Sequence, residues 1–157
     1  MILPAGADGA QRTRDTARAM SQENVEIVKA AIDAYNREDW DALFDAAAPG
    51  FELDFSRAVG PWHGIFGLDQ ARRVLSEISG GWESLRVEPH EFIEVGDVVV
   101  VPWTTYAKGR DGIELVSSVT NVWTIRGGAI ERLSMYQDRQ DALEDLRLSE
   151  QDAHADS

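Results

Sequence analysis

In residues 49–64, "PGFELDFSRAVGPWHG", Phe51, Leu53 and Phe55 alternate with Glu52 and Asp54. Alternation at period two is the pattern of a strand with one apolar and one polar face. A strand carboxylate can take and return a proton when it faces a pocket whose apolar walls tune its pKa. Asp54 is therefore a candidate general base; its other reading is an outward-facing or loop-binding acid. A one-residue slip turns every side chain of a strand to the opposite face, which would put Phe51, Leu53 and Phe55 inside. Asn121 interrupts the strand "SSVTNVWTI", with Val119 and Trp123 two positions to either side. A buried amide needs partners; it can polarise a substrate carbonyl or bond a neighbouring side chain or loop. His63 follows Trp62 in a Gly-rich loop, where an imidazole shuttles a proton near neutral pH or simply stands in water.

Trp103 and Trp123 fall on neighbouring strands near Asn121 and can form an aromatic wall for a ring-shaped ligand, or plain core. Tyr35, Trp62, Phe66, Tyr106 and Met135 are further lining candidates. The three histidines, His63, His90 and His154, are scattered and there is no cysteine, so no metal and no cofactor are expected. No Ser-His-Asp order can be built from Thr104, Thr105, Ser117 and Ser118, which are ordinary strand residues.

These residues need elements to hold them. Ser21 caps a first helix with Val25, Val28, Ala31, Ile32 and Tyr35 on one face, ending near Asn36-Arg37. "DWDALFDAAA" reads as a short second helix, capped by Asp39 and stopped at Pro49-Gly50. The strand 51–56 and the loop "RAVGPWHGIFG" follow, then a third helix, "LDQARRVLSEIS", closed by Gly80-Gly81. From there Gly96-Asp97, "RDG" and Gly127-Gly128 separate four long strands into an antiparallel meander, and "RQDALEDLRL" is a last helix. Helices gathered ahead of an antiparallel sheet indicate an α+β fold: a twisted sheet of long strands curls, the helices cover its concave face, and the space between them is a natural ligand pocket.

The chain of 157 residues is about one domain's worth. The expected organisation is a mobile leader over residues 1–20, a domain over 21–148 and an acidic tail over 149–157. A net charge of -13 without a basic cluster argues against nucleic acid as a partner. No apolar run is long enough for a membrane span, and the opening residues lack a secretory pattern, so a cytoplasmic protein is expected.

The segments "AIDAYNREDWDALFDAAAPGFELDF", "WHG" and "NVWTIRGGAIERLSMYQDRQDAL" resemble the SnoaL-like branch of the nuclear-transport-factor-2-like superfamily, over nearly all of residues 21–146. The resemblance implies a cone with a deep apolar pocket and a homodimer packed through the outer face of the sheet. It leaves the activity open, because the superfamily hosts isomerases, cyclases, hydrolases, dehydratases and plain binding proteins. Its ketosteroid isomerases use an Asp base with a Tyr and a protonated Asp as oxyanion donors. Asp54 matches the base position once a one-residue gap is allowed before it, Asn121 stands at the donor Asp, and Ala31 stands at the donor Tyr. Tyr35 lies one helical turn beyond Ala31 on the same face. The Asp-Arg-Asp set of the limonene-epoxide hydrolases is not found in the sequence.

The expectation is a protein that binds one small hydrophobic or cyclic molecule. Its first form is a cofactor-independent isomerase, cyclase, lyase or hydrolase with Asp54 as acid/base, Asn121 as carbonyl donor and His63 beside them. Its alternative is a non-catalytic ligand-binding or dimerisation module.

Overall fold

The computed structural model describes residues 22–58 and 60–155, with side chains through Arg147. The expected leader, the Ser21 cap and the side chain of His154 lie outside the described residues. Helix α1 covers 22–36 and buries Val28, Ala31, Ile32 and Ala34, the recurrence of an amphipathic helix. Helix α2, Trp40–Asp45, is capped by Asp39, whose carboxylate accepts from the Ala42 N–H at 3.2 Å. Strand β1, Ala47–Phe55, follows at once. The second helix thus ends before the expected Pro49-Gly50 stop. Ala47 pairs in parallel with Ile130 on the last strand, and the Ile130 N–H donates to Ala46 O at 2.8 Å. That tertiary pairing overrides the helical preference of three consecutive alanines.

Strand β2, Gly64–Gly67, lies in the segment expected to be loop and pairs antiparallel with β1 at the sheet edge. Its glycines give a turn signature, so its strand character comes from the pairing. Helix α3, Leu68–Gly80, buries Ala71, Val74, Leu75 and Ser79 along one face. The remaining elements are β3 (Ser84–Pro89), β4 (Ile93–Val95), β5 (Val98–Lys108), β6 (Glu114–Arg126), β7 (Ala129–Tyr136) and helix α4 (Arg139–Ala155). Helix α4 continues past Leu148, where the tail was expected to begin. Gly127 and Gly128, at φ 58° and 78°, form the two-residue turn from β6 to β7; both central residues of that hairpin turn need positive φ.

The result is an α+β fold with one curved, open sheet in the order β2-β1-β7-β6-β5-β3, and β4 beside β5. All pairings are antiparallel except β1 with β7. The main core lies between the sheet and helices α1 to α3, and includes Ile32, Leu53, Leu75, Val101, Trp123 and Leu133. A smaller core on the opposite sheet face joins Val100, Val122 and Tyr136 to Ala142 of α4. At the far edge, Asn36 closes α1 onto β3. Its amide donates to Val87 O at 3.0 Å and accepts from the Val87 N–H at 2.9 Å.

Candidate functional site

The helix-covered face of the sheet holds a largely apolar cavity of about 50 Å³. Ile32 and Tyr35 of α1, Leu43 of α2 and Leu75 of α3 form its cover. From the sheet come Phe55, Trp103, Asn121, Trp123 and Leu133. The register explains the company: Asn121 lies opposite Val101 on one side and Met135 on the other, while Trp123 lies between Val99 and Leu133. Side chains directly opposite in a ladder share a face. A second space of about 10 Å³ adjoins the cavity, bordered by the same Leu43, Leu75, Trp123 and Leu133.

Asn121, Trp123, Tyr35 and Trp103 bring polar side-chain atoms to this lining. Asn121 and Trp123 are 2% and 3% exposed, and neither Asn121 Nδ2 nor Trp123 Nε1 has a hydrogen-bond partner among the described residues. The Tyr35 phenol packs edge-on against Trp40, with ring centroids 5.7 Å apart. Burial, with a smaller contribution from the Glu38 charge, pushes its pKa up to about 12. At neutral pH it is a proton-bearing, uncharged group and cannot serve as a base.

Asp54 is buried but does not face this cavity. Phe51, Leu53 and Phe55 take the inner face of β1, so Asp54 turns to the other side, the alternative that a one-residue slip allows. There Arg132 Nη2 donates to Asp54 Oδ2 at 2.7 Å. The Ser56 hydroxyl and backbone N–H donate to Oδ1 at 2.6 and 3.0 Å. Burial alone would raise the Asp54 pKa, but the hydrogen bonds from Ser56 and Arg132 outweigh it and hold the carboxyl at about 2. A base that acidic is a poor proton acceptor at neutral pH. The network extends through Arg57, which donates to Asp145 of α4 at 3.0 Å and stacks on Tyr136 at 3.9 Å from the ring centre. The Tyr136 hydroxyl also donates to Asp145, at 2.6 Å. Asp54 is thus an anchor between β1, β7 and the 56–58 turn.

The other candidates divide in the same way. Tyr35, Trp103, Asn121 and Trp123 come together at the cavity. Trp62 and Phe66 pack partly buried against the main core without lining the cavity, and Met135 stands opposite Asn121 in register. Tyr106 is corrected in position. It lies exposed on the outer face opposite Val116, beneath the Arg86 guanidinium at 4.8 Å, because Trp103 and Tyr106 are an odd number of residues apart on β5. His63 is also away from the cavity: it is exposed, with Nδ1 3.1 Å from Ala58 O. Among the described residues no group of three or more His, Asp or Glu side chains is placed to hold a metal ion. The sequence reading missed the Asp54–Arg132 pair altogether. Only the parallel pairing of β1 with β7 puts the two side by side, and nothing local to either segment signals it.

The model of the SnoaL-like domain matches residues 28–133. The chain belongs to the SnoaL-like family. Solved structures similar to this SnoaL-like chain include TerC co-crystallised with polyporic acid, at 24% identity and TM-score 0.65, covering 79% of this chain and 97% of that one. An NTF2-like protein of unknown function from Burkholderia pseudomallei matches at 21% identity and TM-score 0.65, covering 78% and 95%. A protein with a ketosteroid-isomerase-like fold from Catenulispora acidiphila, in complex with trimethylamine, matches at 18% identity and TM-score 0.62, covering 71% and 84%. At these identities the likeness is one of fold. No curated protein matches the chain.

Proposed function

We propose that this SnoaL-like protein binds one small, uncharged, largely apolar molecule in the cavity beneath α1, without acid–base chemistry at Asp54. One observation carries the reading: among the described residues the only titratable side chain lining the cavity is Tyr35, held protonated, while the nearby buried acid is tied to Arg132 behind the sheet. The ligand-bound relatives lend support to small-molecule binding as such, since TerC was crystallised with polyporic acid and the Catenulispora acidiphila protein with trimethylamine. A cavity of about 50 Å³ takes something small. A six-membered ring needs more room than this cavity and the adjoining space of about 10 Å³ give together, so Leu43, Leu75 or Leu133, which border both, must move outward to admit it. The protein is further read as a homodimer through the outer sheet face, on the part that α4 leaves open around Tyr106 and Val116.

The test is a titration of the full chain with cyclohexanone and methylenecyclohexane, followed by ¹⁵N–¹H spectra. The expected result is saturable shifts of the Trp103 and Trp123 indole signals at millimolar concentrations or below, with Asp54→Asn binding within about twofold of wild type. Absence of binding by both compounds overturns the proposal. So does loss of binding in Asp54→Asn while its spectrum stays that of a folded protein.

A further inference from the structure

The two unpartnered donors say more about the occupant than the cavity's shape does. A buried N–H without an acceptor costs the desolvation of the group and regains nothing, so such groups are uncommon in folded proteins and call for a reason. Here two of them, Asn121 Nδ2 and Trp123 Nε1, lie two positions apart on one strand and border one cavity. The other lining residues are apolar apart from Tyr35, with its hydroxyl, and Trp103, whose indole N–H is not among the buried donors left without a partner. An amide can donate or accept, but an indole N–H only donates. Trp123 therefore asks for an acceptor atom and nothing else.

Charge narrows the class further. Among the described residues no Lys, Arg or His lines the cavity, and the chain carries a net charge of -13. An anion would satisfy both donors but would be buried without a countercharge, a costly transfer. A cation would face two N–H groups from their positive ends. An uncharged acceptor, such as a carbonyl or ether oxygen, escapes both penalties.

We infer that Trp123 is a specificity-determining donor which, with Asn121, selects uncharged ligands bearing a hydrogen-bond acceptor and rejects both hydrocarbons of the same shape and carboxylates. This rests on the cavity being the binding site, as proposed above.

The experiment compares cyclohexanone, methylenecyclohexane and cyclohexanecarboxylate at neutral pH on wild type, Trp123→Phe and Asn121→Leu. Methylenecyclohexane replaces the oxygen by a CH₂ group of similar shape, so differences in hydrophobicity cancel when each probe is compared across the variants. Affinity for cyclohexanone should fall about three- to tenfold in each variant, the worth of one hydrogen bond. Affinity for methylenecyclohexane should hold or improve, and the carboxylate should bind at least tenfold more weakly than the ketone to wild type. The Trp123 indole proton should move downfield with cyclohexanone alone. Asn121→Leu should also raise the thermal midpoint, because it removes an unmatched amide, which verifies that the variant is folded. The inference is overturned if the variants weaken ketone and hydrocarbon equally, if the indole proton does not respond to the ketone, or if the carboxylate binds as well as the ketone. Binding of hydrocarbon but not ketone sinks the inference and leaves the binding function standing, whereas binding of neither probe overturns both.

Discussion

At residue scale, Asp54 shows how much depends on the side of a strand to which a carboxylate points. Its folded pKa lies below the ordinary value of 3.8 because Ser56 and Arg132 bond the charged form more strongly than burial opposes it. A depressed acid stabilises the fold above its unfolded pKa and loses that contribution as pH falls through the folded one. The stabilisation is therefore full above about pH 4 and fades towards pH 2. A shift of this size corresponds to on the order of 2 kcal/mol. Asp54→Asn should cost about 2–3 kcal/mol at pH 7 by urea unfolding, below the usual range for breaking a fully buried pair because Arg132 keeps access to water. The gap between variant and wild type should narrow between pH 4 and pH 2; a gap independent of pH in that interval would refute the assignment. The alternation of Phe51 to Phe55 was legible in the sequence, but not which set faced inward. That choice is made by β7, about 80 residues away, where Leu133 lies inward beside Leu53 and Arg132 lies outward beside Glu52. Asn121 could be placed more directly, because its neighbours at period two are both apolar.

At the scale of elements, the helices were readable where periodicity and caps agree. Asp39 caps α2 as its type suggests, and α3 stops at the glycine pair. Legibility failed where pairing across the sheet overruled local preference, at Ala46-Ala47 and at β2. The Asn36…Asp39 spacing also acquires a physical content: one residue ties the end of α1 to β3 and the other starts α2. Asn36→Ala would leave both backbone groups of Val87 without these partners, and Val87 is only 3% exposed. The expected loss is about 1–3 kcal/mol, measured by denaturant unfolding. A change below 0.5 kcal/mol, on the order of a neutral surface substitution, would show that water replaces the amide without cost.

At the scale of the molecule, the sheet has one face covered by α1 to α3 and the other only partly covered by α4. The open part presents Tyr106 at 37% and Val116 at 62% exposure, opposite each other in register. A self-complementary dimer on this surface has a definite electrostatic signature. Each copy carries -13, so the copies repel at long range, and salt that screens the repulsion should tighten association. Sedimentation velocity should show a dimer at 0.3 M salt that loosens at 0.02 M, and a monomer for Val116→Asp at both. A wild-type monomer at 100 μM in 0.3 M salt would rule the dimer out.

The clamp at Asn36 also bears on how the chain behaves in a crowd. The sheet is open, so β2 and β3 each have an edge at which another chain could be added. On β3 the amide of Asn36 already occupies the outward N–H and C=O of Val87, with the two bonds that an incoming strand would make there. A single side chain thus mimics the next strand for one residue and ends the ladder. The same contact that ties the helix to the sheet denies an added strand its bonds at Val87.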